Sequence, residues 1–526
     1  MSPTPELATD FLIVGGGSAG SVLAARLTQE AGRTVRLLEA GTVYPVESIP
    51  SDLLDPAHVP GNAEHDWGFK MRAGARSPEI IAPRGKALGG SSSVNATVAM
   101  RLTPDDVRKW NEHGLDGWSV EEVAATFKAM ENAPAGAASV HGRVGPFPVR
   151  QETYADLTSS LKAFVDAGVA AGYEQIEDFN GENRHGVGGY PVNVVGNHRQ
   201  STAIVYLTQE VRDRPNLSIE GGVLVDRVLF RDGRATGVVD AAGTTYEAEQ
   251  VILSAGAYVS PAILMRSGIG PATHLQALGI ETLVDLPVGD RLTEQPFYYN
   301  PYALKPDHQD ERPATGALLW TASSEAKGEE LDLHVTATHL MPPELSPTGG
   351  AITIGVSVVS ADSHGTIRLR SRDPREQPII DGNYLYEERD RRRMLEAVKL
   401  GRRLGSSSQM SPLIALELAP GPDVEDDDSL LKVVEANLES YGHPAATAPM
   451  GGPGDPAAVV DSTGAVRGVE GLRVIDASIM PELPSVATNP TVIMIAEHLA
   501  DRVFGASIGP LGGSGARASE GVGASS

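Results

Sequence analysis

Gly15-Gly16-Gly17-Ser18-Ala19-Gly20 fits the spacing G-x-G-x-x-G. Glycines in this pattern permit a tight turn, a close approach of backbone to a pyrophosphate, and close packing of helix on strand. Glu39 follows 19 residues after Gly20. A carboxylate there can accept from both ribose hydroxyls and repels a 2′-phosphate, which disfavours NADP; FAD and NAD both stay open on these residues alone. Other candidates carry less. Ser91-Ser92-Ser93 lacks a G-x-S-x-G frame, so a serine hydrolase is rejected. Asp423, Glu425, Asp426, Asp427 and Asp428 could suggest a metal, but they precede an apolar helical run and fit a helix N-terminus better. With no cysteine in 526 residues, disulfides, zinc–thiolate sites, iron–sulfur clusters and thiol nucleophiles are excluded.

The glycine loop needs a strand before it and a helix after it. Phe11-Leu12-Ile13-Val14 is an apolar run of strand type, Ser21–Leu27 is helical, and Val35–Glu39 reads as the next strand. Strand, helix and strand in about 30 residues make a βαβ unit of a parallel sheet. Further helices are expected at Ser119–Glu131, Thr158–Ala171, Tyr386–Leu404 and Asp428–Leu438. Strands are expected within Leu217–Ala242, Val251–Ala255 and Leu331–Leu369, with turns at Ser346–Gly350 and Ala361–Gly365. Gly and Pro contribute 58 and 37 residues, and the excess is spread along the chain, so many turns and close backbone approaches are expected. Residues 505–526, rich in Gly, Ala and Ser, read as a disordered tail.

The formal charge is −25, which argues against nucleic acid and anionic membrane as partners, because both require a basic face. No stretch approaches the roughly 20 apolar residues of a membrane helix. The first ten residues, MSPTPELATD, have neither a basic start nor an apolar core, so a cytoplasmic protein is expected.

Two longer segments narrow the reading. Arg84-Gly85-Lys86-Ala87-Leu88-Gly89-Gly90-Ser91-Ser92-Ser93-Val94-Asn95 and Gly256–Gly270 resemble the two signature segments of the glucose–methanol–choline (GMC) flavoprotein oxidoreductases. Weaker likenesses fall at Gly117–Ser119, Asp178–Gly181, Arg199–Ala203, Asn383–Leu385 and Gly471–Ser478, so the resemblance runs from about Asp10 to Val503. It implies an α/β (α+β) fold, with a Rossmann-like FAD-binding domain and a second, antiparallel-sheet substrate-binding domain. The expected division is 8–150, 196–290 and 441–504 for FAD, and 151–195 and 291–440 for substrate. The implied cofactor-binding set is Gly15, Gly17, Ser18, Ala19, Gly20, Glu39, Ala40, Arg84, Gly89, Gly90, Ser91, Asn95, Ala96, Val225, Ala255, Gly256, Asp476, Ala477, Asn489, Pro490 and Thr491. Some family members attach FAD through a His just before the Asn95-type residue. Here Val94 stands there, so FAD is expected to be non-covalent.

Alcohol oxidation removes a hydroxyl proton and a hydride, and the proton needs a base that titrates near neutrality. Of the 13 histidines, His443 lies in Tyr441-Gly442-His443-Pro444-Ala445, which resembles the segment carrying the family's catalytic His. Asn489, before Pro490, sits at the family's second catalytic position and could donate to the substrate oxygen. His334 and His339 are expected to be structural more than pocket-lining. Trp67 could be a pocket wall or plain core. Gln295 stands where many relatives have a His, and has no assigned role. The implied activity is FAD-dependent oxidation of an alcohol, most simply a primary one, with oxygen or another electron acceptor. Alternatives are a choline-like or sugar oxidase and an FAD-containing lyase of hydroxynitrile or photodecarboxylase type.

Overall fold

The computed structural model describes residues 9–309, 311 and 316–511. Thr9–Val14 forms the central strand of a seven-stranded sheet, parallel to Val35–Leu38 on one side and Thr245–Leu253 on the other. Leu217–Glu220 adds beyond Val35–Leu38, and Leu472–Val474 adds to Thr245–Leu253, both in parallel. Arg234–Asp240 and Val225–Arg231 extend the sheet as an antiparallel flap. A continuous apolar run is what a strand covered on both faces requires, and Leu12, Ile13, Ile252 and Leu253 are fully buried.

Ser18–Leu27 is the helix that follows the glycine loop. It packs against a late helix, Thr488–Phe504, through the bidentate ion pair of Arg26 with Glu497, both bonds 2.7 Å and both side chains fully buried. Tyr206 Oη donates to the same carboxylate at 2.8 Å.

The second sheet is antiparallel throughout, in the order Ile414–Glu417, Pro296–Leu304, Ala351–Val358, Leu333–Thr338, Ala317–Thr321 and Gly186–Gly189. Glu439–Ser440 pairs with the start of Pro296–Leu304. A four-stranded sheet joins Lys70–Arg72 and Glu79–Ile81 to Thr366–Arg368 and Ile379–Asp381, and so ties the early chain to the middle of the chain.

The helices expected from the sequence fall at Val120–Met130, Ser159–Ala170, Glu388–Gly405 and Asp427–Ala436. Ser119 and Glu122 close a capping box at the first of these. The acidic cluster starts the last of them, where Asp426 accepts from the Ser429 amide, and no metal-holding group of His, Asp and Glu occurs among the described residues. The expected tail needs correction. Residues 505–511 pack back on the fold: Ala506 is buried, the Gly509 carbonyl accepts from Arg26, and the Leu511 carbonyl accepts from Arg214. The remainder of that tail, 512–526, lies outside the described residues. No helix among the described residues is long and apolar enough to cross a membrane.

Candidate active site

One cavity of about 650 Å³ runs from the glycine loop to the second sheet. At its nucleotide end, Gly15 has φ +98°, and a Cβ there would lie 2.5 Å from the Ser254 carbonyl, so only glycine fits. The helix Ser18–Leu27 begins with no side-chain cap and no acidic residue in its first turn, which leaves its amides free for an anion. Glu39 is held on the cavity wall by the Gly16 and Gly41 amides at 2.8 and 2.7 Å, and each oxygen keeps a lone pair for a ribose hydroxyl. Asp476 accepts from the Gly256 amide at 2.8 Å and from Ser260 Oγ at 2.6 Å, which fixes the second signature turn.

Most of the implied cofactor-binding residues line this one cavity: Gly15, Gly17, Ser18, Ala19, Glu39, Ala40, Arg84, Gly90, Ser91, Asn95, Ala96, Val225, Ala255, Gly256, Asp476, Ala477 and Asn489. Gly20, Gly89, Pro490 and Thr491 stand behind its wall. A Cβ on Gly20 would meet the Gly15 carbonyl at 1.9 Å, and one on Gly89 would meet Ser93 Oγ at 2.2 Å. Pro490 and Thr491 are buried in the first turn of their helix.

The residues fit a dinucleotide. A Cβ on Gly256 would meet nothing within 4 Å, and on Gly17 nothing closer than 3.8 Å, so the bare backbone forms an open cradle. Asn489 Nδ2 is buried without a partner, while its Oδ1 accepts from Ser18 Oγ at 2.7 Å. That leaves both N–H donors of the amide unused at the cavity wall.

His443 lines the other end. Its loop is tied down twice: Glu294 accepts from the His443 amide at 2.7 Å, and Arg84 Nη1 donates to the Gly442 carbonyl at 2.8 Å. The missing partner of the base is Gln295. Its Nε2 donates to the Val359 and Pro484 carbonyls at 3.0 and 2.9 Å, which turns Oε1 toward His443 Nδ1 at 2.7 Å. An amide oxygen only accepts, so Nδ1 carries the proton and Nε2 presents a lone pair. Burial, with the Arg84 guanidinium adding to it, pushes His443 down to about 3, so the ring is neutral at pH 7. Sequence reasoning had no signal for this contact beyond the unexplained substitution of His by Gln295.

His334 also lines the cavity, against the expectation of a structural role. Its Nδ1 lies 3.3 Å from Tyr441 Oη, and burial together with His443 lowers it to about 3. His339 is structural, bonded to Thr158, Ser160 and the Ala351 carbonyl. Trp67 is a cavity wall stacked on Phe69.

Residues 9–297 and 361–496 match family models described as GMC oxidoreductase. An oxygen-dependent choline dehydrogenase of Rhizobium rhizogenes is 34% identical, covering 94% of this chain and 95% of its own length. One of Brucella anthropi is 33% identical over the same shares. Among solved structures, pyridoxine 4-oxidase from "Mesorbium loti" superposes with a TM-score of 0.86 at 31% identity, covering 94% of this chain and 99% of that one. A fungal aryl-alcohol oxidase shares the fold, with a TM-score of 0.77 at 23% identity, over 94% of this chain and 98% of that one.

Proposed function

Because the chain belongs to the GMC oxidoreductases, which bind FAD, we propose that it oxidises a primary alcohol to the aldehyde with His443 as the base. The observation that carries the reading is the Gln295–His443 contact, which leaves a neutral imidazole with its lone pair on Nε2. When bound, FAD supplies the hydride acceptor. The chain supplies the rest. Gly15, Gly17 and the uncapped helix N-terminus would hold the pyrophosphate, Glu39 would hold the ribose, and Asn95 would stand on the flavin's side of the cavity. His443 Nε2 receives the hydroxyl proton, and Gln295 holds the ring while it becomes charged. Asn489 Nδ2 donates to the substrate oxygen and keeps the alcohol in line. Val94 offers no nucleophile before Asn95, so FAD is held without a covalent bond.

The relatives named for choline and pyridoxine support a hydroxyl compound as substrate and leave oxygen or another acceptor to take the electrons. The test is anaerobic mixing of the holoenzyme with primary, aryl, amino and sugar alcohols while the flavin absorbance is followed. Bleaching by a primary alcohol, lost by about 10²–10⁴ in rate in His443→Ala with FAD retained, supports it. No bleaching by any alcohol, or unchanged rates in His443→Ala, defeats it. Acid precipitation that leaves flavin on the protein defeats the non-covalent assignment.

A further inference from the structure

We propose that Arg199 is the latch of a strap, residues 51–62, that closes the cofactor cavity, and that FAD enters and leaves by release of this strap. The inference rests on FAD binding and is independent of which substrate is oxidised.

The strap has the sequence SDLLDPAHVPGN. Two prolines and a glycine leave it little regular structure, and only Ser51–Leu54 makes a helical turn. Its neck is closed by Asp52, whose Oδ2 accepts from Asn62 Nδ2 at 2.9 Å and from His65 Nδ1 at 2.8 Å. A short loop with joined ends moves as a unit. Its tip reaches the cofactor site: Val59 and Pro60 line the cavity, and they belong to neither a sheet nor a helix. Gly61 presses on Val94, where an added Cβ would lie 2.8 Å from Cγ1.

Arg199 opens a segment, Arg199–Ala203, to which the alcohol chemistry gives no work. It is fully buried. Its Nη1 donates to the carbonyls of Leu53 at 2.8 Å and Asp52 at 3.2 Å, at the neck of the strap. Its Nη2 donates to the His58 carbonyl at 2.8 Å, next to the tip. The same guanidinium donates to Ser93 at 2.7 Å and Asn95 at 2.9 Å, the carbonyls of the first signature loop. One planar fork therefore fastens the neck and tip of the strap to the loop that carries Val94 and Asn95 on the cavity wall.

Nothing else polar does this. Among the described residues, every hydrogen bond that 51–62 makes beyond its flanks, Pro50 and His65, ends on Arg199. The remaining seat is apolar, Leu53 against Ala87 and Val94. No carboxylate among the described residues lies within ion-pair distance of the guanidinium. Burial lowers it to about 10, opposed by the more distant Asp55 and Asp52, so it stays charged at pH 7. Five carbonyl dipoles take the place of a counter-ion. A segment held by one side chain and one leucine is the part of the wall that opens most easily, and an enclosed cofactor needs such an opening.

The test compares full-length holoenzyme of the parent, Arg199→Lys and Leu53→Ala. Hydrogen exchange is read by mass spectrometry in peptides of the strap and of the central strand Thr9–Val14. FAD release is read from the rise in flavin fluorescence after dilution. Lysine keeps the charge but has no planar fork, so it cannot hold neck, tip and signature loop together. In Arg199→Lys, strap exchange and FAD release should each rise at least about tenfold, with exchange in Thr9–Val14 within about twofold of the parent. A rise spread equally over both peptides marks a general brace and overturns the latch, as does an unchanged strap. A faster strap with FAD release within about twofold of the parent overturns the strap as the route. Should Arg199→Lys fail to fold, Leu53→Ala decides: it loosens the same strap from its apolar seat, and FAD release that does not rise with strap exchange overturns the proposal. Loss of alcohol-dependent bleaching with these rates as expected would sink the oxidation reading and leave the latch standing.

Discussion

Replacing Gln295 by Leu separates two jobs that this fully buried amide performs with its two ends. Its Nε2 satisfies the carbonyls of Val359 and Pro484, and its Oε1 takes the Nδ1 proton of His443. Leu removes all three bonds at nearly constant size. Two buried carbonyls left without a donor cost about 1–3 kcal/mol each, so the folded state should lose roughly 2–6 kcal/mol. The catalytic cost is separate. As His443 gains the substrate proton it becomes a cation, and a hydrogen bond to a charged group is worth about 1.5–3 kcal/mol. Losing it only as the charge develops should lower the limiting rate of flavin reduction by about 10- to 100-fold. Gln295→Glu is the rescue: in this buried site the side chain stays protonated, accepts from Nδ1 through its carbonyl, and donates to one of the two backbone carbonyls. It should restore reduction to within a few-fold of the parent while recovering only part of the stability. Anaerobic stopped-flow reduction, paired with urea midpoints and FAD content, reads both effects. Flavin reduction by Gln295→Leu within about twofold of the parent would refute this role for the amide, as would a Gln295→Glu variant as slow as Gln295→Leu.

Other outcomes follow from the same structure. With His443 lowered to about 3, the limiting reduction rate should be level from about pH 5 to 9, and an inflection near 6.5 would count against the depressed value. By linkage, the unfolded chain takes up this proton through its ordinary range while the native state does not until about 3. This group therefore weakens the fold as pH drops across that interval. His141 works oppositely: held between Asp178 and Glu131, it rises to about 9, so its stabilisation is complete below its unfolded value and lost as pH climbs through 9. Urea midpoints for His141→Gln should lose that alkaline slope. Glu497→Ala leaves the Arg26 guanidinium buried and unpaired, and calorimetry should show a loss of about 3–5 kcal/mol. Gly15→Ala, strained at φ +98° and against the Ser254 carbonyl, should purify with little FAD.

What could be read in the residues was what is local. The glycine loop announces itself because turn, helix and strand succeed one another within 30 residues. The helix at Val120 was legible because its capping box is four residues long. Lys70–Arg72 and Glu79–Ile81 were missed because three-residue strands hold too little pattern to declare a period, and the strand that ties their hairpin into the sheet, Ile379–Asp381, lies some 300 positions away. Gln295 stood out in the sequence, but its role was not legible: its contact with His443 spans 148 positions and exists only because the second sheet folds one over the other. The placement of His334 on the cavity wall, like the common face of Glu439 and Phe297, is a product of register that composition does not encode.

The order in which the first sheet is assembled bears on how the protein matures. Arg26 and the glycine loop are made well before the partners that complete them: Leu472–Val474 for the sheet, Asp476 and Asn489 for the cavity, and Glu497 for Arg26. During synthesis the nascent nucleotide site therefore stays open on one side, with a guanidinium lacking its counter-charge, until nearly 500 residues have been polymerised. Flavin capture by the complete site is then a closing event of biogenesis, not a nucleating one. A nonsense change anywhere before residue 472 would yield a colourless, aggregation-prone fragment instead of a weakened enzyme.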